Sequence, residues 1–284
     1  MTRAFVDEPA SAPERVGRFR RLEPSRGPLY TDPEHERVVR VEVWSGPADD
    51  ADERLRHHAQ AHALSRICHP NVMPVLEVGM DERHVFVARE RVRGEDLHHV
   101  LRRRQLPLDE RLALFAGIAR GLQAVHEAGL PFVDFAPHKV LVAPDTQPLL
   151  TDLGVGSGRS PVARYMSPEQ IARRPLTAAS DQFSFGVALY EALFFRHPFV
   201  HTDVASLHTA VLEGRVVPCD ARGVPGRVEA AVLRCLQTPP RARFGSMGEV
   251  AEVLESVTGR TKPLVTMLLC VAAGSVLVAF VPMM

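Results

Sequence analysis

Lysine is almost missing from this chain. Of the 34 Lys and Arg residues in 284, only Lys139 and Lys262 are lysine. A site that needs an ammonium has two candidates, and neither lies before residue 139. Net charge is missing too: 34 acidic residues balance the basic ones, for a formal charge of +0. That removes the electrostatic ground for nucleic acid as a partner. The four cysteines, Cys68, Cys219, Cys235 and Cys270, form no CxxC pair and keep no regular spacing. They read as reduced thiols of a cytosolic domain rather than a disulfide frame. Residues 1–16 lack the apolar run of a secretory leader. They are rich in Pro, Glu and Ala, which predicts disorder. No G-x-S-x-G elbow of a hydrolase occurs.

What is present reads as a globular chain. It is 45% hydrophobic and 24% charged, and long enough to bury a large core. Segments 18–22, 37–44, 73–79 and 83–89 read as strands. In Val39-Arg40-Val41-Glu42-Val43 apolar and polar residues alternate, so Arg40 and Glu42 share one face. Residues 51–67 read as a helix that ends before His69-Pro70. Helices are predicted over 96–103 and 108–128, short strands over 140–142 and 149–151, and mostly helix over 168–257. His57, His58 and His62 lie on the first helix. With no third ligand they read as solvated histidines rather than a zinc site. Arg102, Arg103 and Arg104 read as a solvated helix end. From Leu264 to Val281 every residue is apolar or small, and no charge follows Lys262. About 27 Å of helix is enough to cross a hydrocarbon core. Residues 264–282 are therefore expected to form a transmembrane helix contacting the lipid bilayer. Arg260 and Lys262 place its N-terminal side in the cytoplasm.

Two aspartates organise the motifs. One stands in Phe132-Val133-Asp134-Phe135-Ala136-Pro137-His138-Lys139, the other in Thr151-Asp152-Leu153-Gly154. Around them, in order, come His69-Pro70-Asn71, Tyr165-Met166-Ser167-Pro168-Glu169, Ser180-Asp181 with Phe185-Gly186, and Arg243. From Gly17 to Val257 this order and spacing resembles a bacterial Ser/Thr protein kinase of the eukaryotic-like type, with its H-R-D-x-K-P-x-N and D-F-G loops. The resemblance implies an α+β bilobal fold. A strand-rich N-lobe would cover about 17–90 and a helical C-lobe about 91–257, with a linker at 258–263. It also implies structural roles for Glu169 and Arg243, as a buried ion pair, and for Asp181, as a cap on the catalytic-loop backbone.

Several positions depart from the family pattern. The family's phosphate-pairing strand Lys falls on Glu42, its helix Glu on Gln60, and the Ala that touches adenine on Arg40. A carboxylate near a triphosphate costs on the order of several kcal/mol. Arg40 and Glu42 are expected to pair and partly fill the pocket, or else to stand solvated at an open cleft. Leu22 to Tyr30 holds one glycine and two prolines where a Gly-rich loop is needed. Asp134 keeps the residual base position. Ala136 replaces the catalytic-loop Lys, and Lys139 replaces the metal-binding Asn. An ammonium offers no acceptor to Mg²⁺. Lys139 is expected between Asp134 and Asp152 as an internal cation; the alternative puts it at the γ-phosphate. Asp152 would hold metal only if Mg²⁺ binds. Val133 and Val162 stand where loop-phosphorylation partners would be.

These departures imply a membrane-tethered pseudokinase that works through signalling proteins, with no cofactor expected. ATP and Mg²⁺ enter under two alternatives: an active divergent Ser/Thr kinase, or a nucleotide sensor without transfer.

Overall fold

Strand alternation builds the first lobe. The computed structural model describes residues 13–22, 29–45, 51–81, 84–151, 162–218 and 223–258. Its first six strands are β1 (Arg15–Val16), β2 (Phe19–Arg21), β3 (Leu29–Asp32), β4 (Arg37–Ser45), β5 (Val75–Met80) and β6 (His84–Glu90). They form one antiparallel sheet in the order β1-β2-β3-β4-β6-β5. The period of two divides its residues between two cores. Val39 and Val41 pack with Val16, Phe19, Tyr30, Phe86 and Ala88. Trp44, Val85 and Val87 face the main core instead, so Arg40, Glu42 and Arg89 point that way as well. Helix α1 (Ala51–Ser65) lies against the sheet through Ala61 and Leu64. The rings of His57 and Trp44 lie 4.2 Å apart, tilted by 32°, and burial pushes the His57 pKa down.

The second lobe is helical around a small sheet. β7 (Glu95–Asp96) pairs with β8 (Val140–Val142), and β8 with β9 (Pro148–Leu150). The helices are α2 (Leu97–Arg103), α3 (Leu108–Glu127), α4 (Pro168–Ile171), α5 (Ala178–Phe194), α6 (Val204–Leu212), α7 (Gly226–Cys235) and α8 (Met247–Thr258). Every residue of α5 from Ser180 to Tyr190 is buried, as expected of a helix that is apolar most of the way round. α8 packs along α3, where Arg120 makes a two-pronged bond to Glu255 at 2.9 and 2.6 Å. Asn71, the chain's one asparagine, ties the lobes together. Its Nδ2 donates to the Pro148 carbonyl at 2.9 Å, and its own carbonyl accepts from the Leu150 N–H. Cys68 and Cys235 are free, and burial pushes the Cys235 thiol up to about 12.

The strand-rich lobe followed by a helical lobe agrees with the sequence reading, with three corrections. Arg15 and Val16 form a strand, so ordered structure starts before Gly17; Val16 is fully buried against the sheet. Leu29 and Tyr30 belong to β3, not to a loop, because pairing with β4 supplies a partner that local sequence does not show. The first helix stops at Ser65, two residues short. Residues 1–12, the linker and the expected membrane span at 264–282 lie outside the described residues. Among the described residues no helix is long and apolar enough to cross a membrane.

Two buried charge clusters hold the floor of the second lobe. Asp181 sits in the first turn of α5, 1% exposed. Its carboxylate accepts the Phe132 and Val133 N–H groups at 2.7 Å each, and His126 Nε2 donates to it at 2.8 Å. This clamp matters because Val133 has φ 72°, a left-handed backbone that β-branched residues rarely adopt. The Val133 carbonyl is fixed as well, by Gln170 Nε2 at 2.6 Å. Arg243 and Glu169 meet at 2.9 Å, both buried. Arg243 also donates to the Ala179, Gln237 and Thr238 carbonyls.

Three outcomes follow, two from the Asp181 cluster and one from the first lobe. Asp181→Ala leaves three donors, at least partly buried, without this acceptor and should cost about 3 kcal/mol in urea unfolding of the full chain. Val133→Gly should cost nothing, against the usual loss, because it relieves about 1 kcal/mol of left-handed strain. The third outcome concerns Asp32 of β3, whose side chain is fully buried. Burial alone would raise its pKa. Bonds from Arg18 and Arg37, the Arg18 charge and His35 outweigh that and hold it at about 2, below the ordinary 3.8. A depressed carboxylate stabilises above its unfolded pKa and loses that contribution as pH falls through the folded one. Melting temperature should therefore drop between about pH 4 and pH 2, and Asp32→Asn should lower it at neutral pH while flattening this acid limb.

Candidate functional site

A cleft of about 340 Å³ opens between the lobes, lined among others by Leu29, Arg40, Met73, Glu90, Val140 and Thr151. Its roof is set by the register of β4 and β6, which puts Arg40 opposite Arg89 and Glu42 opposite Val87. Two cations directly across a sheet repel. Glu42 lies between them: its Oε1 is 3.3 Å from Arg89 Nε and 3.7 Å from Arg40 Nε. The Arg89 side chain is 0% exposed and that of Glu42 10%. At its far end Arg89 Nη1 donates to the Met73 carbonyl at 3.0 Å. The three side chains together carry one positive charge.

The sequence reading put the family's helix Glu, the usual partner of the strand cation, on Gln60. In the structure Gln60 is exposed on α1, and the strand charge is met from within the sheet. Arg89 is the site residue that sequence reasoning passed over. A signal was there: strand alternation puts it on the same face as Val85 and Val87. What it would meet across that face depends on register, which is a tertiary property.

The floor is built by the Asp134 segment. Pro137–Lys139 make one turn of 3₁₀ helix. Lys139 Nζ forms an ion pair with Asp134 Oδ2, their side chains 5% and 15% exposed. The same ammonium lies 6.0 Å from the centre of the Phe132 ring. The Lys139 carbonyl accepts from the Thr151 N–H and hydroxyl at 2.9 and 3.0 Å. Ala136 is fully buried. Phe132, at the position of the family's His, packs edge-on to Phe135, which meets Phe185. Asp152 and residues 23–28, the interior of the expected phosphate loop, lie outside the described residues.

A magnesium-bound triphosphate needs oxygen ligands for its metal and cations for its phosphates. On the floor, position 139 offers no oxygen ligand, and its ammonium already engages Asp134. In the roof, the phosphate-pairing position is a carboxylate with a guanidinium against it. These residues do not fit that group in the way the family holds it.

Comparison with known proteins agrees with the bilobal fold. A profile described as the protein kinase domain matches residues 47–247. A probable serine/threonine-protein kinase of Clostridium acetobutylicum is 25% identical over 74% of this chain and 34% of its own length. The tyrosine-protein kinase MasK of Myxococcus xanthus is 28% identical over 69% of this chain and 34% of its own. The serine/threonine-protein kinase PknA of Mycobacterium tuberculosis is 28% identical over 80% and 56% respectively. The chain thus spans between a third and somewhat over half the length of these relatives. With the lobes, the Asp181 clamp, the Glu169–Arg243 pair and the two aspartate motifs in family order, the chain belongs to the protein kinase family, among its bacterial members of eukaryotic-like type.

Proposed function

We propose that this chain is a kinase-fold protein that no longer transfers phosphate and acts through contacts with signalling proteins. The observation that carries this reading is the buried Lys139–Asp134 ion pair. A base that orients a hydroxyl must be free to accept its proton. Here the carboxylate is held by an ammonium from the position that should ligate metal. Ala136 removes the second cation of the loop, and Glu42 removes the one in the roof. The apolar stretch at 264–282, with Arg260 and Lys262 before it, supports a tether that keeps the domain close to the cytoplasmic face of a membrane.

A second reading has its own support. Arg40 and Arg89 outnumber Glu42 between them, and a guanidinium can pair with phosphate. On that reading the chain binds nucleotide, as a sensor or as a divergent serine/threonine kinase with Asp134 as base and Asp152 holding Mg²⁺.

Phosphoryl transfer separates the two. The full chain, incubated with γ-labelled ATP, Mg²⁺ and a general protein substrate, should label neither itself nor the substrate above the Asp134→Asn variant. Transfer that Asp134→Asn abolishes would sink the inert reading. The ion pair makes a second prediction. Lys139→Met should destabilise the chain by about 3 kcal/mol, because it strands a largely buried carboxylate. Asp134→Asn in the same chain should recover most of that loss. A double-mutant cycle in urea measures the coupling.

A further inference from the structure

We propose that Arg89 is the specificity-determining residue of the cleft, and that its guanidinium excludes nucleotide by standing where the phosphates would have to come. The inference rests on the inert reading above and assigns the exclusion to one side chain. It begins with position. Glu42 occupies the strand position from which the family pairs α- and β-phosphates, and Arg89 Nε lies 3.3 Å from the Glu42 carboxylate. The volume in front of that position is therefore filled by the chain itself.

Arg89 is also fixed there. It is fully buried, bonded to the Met73 carbonyl at 3.0 Å at one end and against Glu42 at the other. Met73 lines the cleft. Moving the guanidinium aside would break both contacts. Occupancy, not repulsion, is then the obstacle. The carboxylate at position 42 lies within 4 Å of two guanidinium groups, and these three side chains sum to one positive charge. Charge by itself would admit an anion.

The arrangement also moves a connection. In the family a charged pair joins this strand to the helix of the first lobe. Here the pair joins β4 to β6 inside the sheet, and Gln60 of α1 is exposed. The shape of the roof is thus set by strand register. The Arg89 Nη2 atom is buried and makes no hydrogen bond among the described residues. That gives the opposite outcome a definite form: Arg89 would be a phosphate ligand.

The test uses the full chain in mild detergent. Thermal unfolding is followed through Trp44, the chain's one tryptophan, two residues along the strand from Glu42. Melts are run with and without millimolar ATP and Mg²⁺ on the parent, on Arg89→Met, and on Arg89→Met combined with Glu42→Lys or with Glu42→Gln. The parent should show no shift, and both double variants a rise of about 5–10 °C. Double variants that unfold cooperatively yet show no rise overturn the proposal. So does a parent that shifts, most directly if Arg89→Met abolishes the shift. Should neither double variant fold, equilibrium binding of a fluorescent ATP analogue to the parent decides: binding overturns the exclusion, and none upholds it. A parent that binds nucleotide but transfers no phosphate removes the exclusion and leaves the inert reading standing.

Discussion

The carboxylate of Asp181 is what the second lobe is arranged around. It takes the N–H groups of Phe132 and Val133 and a ring nitrogen of His126, and so joins the end of α3, the start of α5 and the segment that carries Asp134. Without it the left-handed turn at Val133 would keep only the Gln170 bond to its carbonyl. With it, Asp134, Ala136 and Lys139 are held in a fixed relation whatever their chemistry. Such an anchor serves stability whatever chemistry the segment performs, because removing a buried anion's partners, or the anion from its partners, is costly in either direction.

Much of this was legible in the sequence, for a physical reason. Period-two alternation fixed which face Arg40 and Glu42 share, and helical spacing placed α3 to within a residue. The Glu169–Arg243 pair and the Asp181 cap followed from motif order, because both are local signatures of a family. The rest depended on register. Arg89 sits in a strand that was expected, yet its partner Glu42 is nearly fifty residues away and meets it only through the pairing of β4 with β6. β3 was hidden for the same reason, since Leu29-Tyr30-Thr31-Asp32 becomes a strand only beside β4. Gln60 is exposed on α1, since a family position says where a residue stands on a helix, not how the helix is turned.

Both lobes share one change. At position 42 an anion stands where the family has a cation, and at position 139 a cation stands where it has a neutral oxygen donor. Each is answered from its own lobe: Glu42 by two arginines of the sheet, Lys139 by Asp134. The charges that face a shared ligand in the family are paired here side chain to side chain. What spans the two lobes instead is Asn71, through its bonds to Pro148 and Leu150, a link made of neutral groups and insensitive to pH or salt.

The scarcity of lysine gives the Asp134–Lys139 contact a practical meaning. Among the described residues Lys139 is the one side chain with a primary amine, and it is 4% exposed. Reagents and enzymes that target amines, whether acylating, cross-linking or conjugating, find an arginine-coated surface that does not react with them. The only amine they can reach within the described fold is one that must first leave its aspartate. The speed of acylation at that nitrogen is then a clock for the opening of the segment beneath the cleft, read from a single atom and without any added probe.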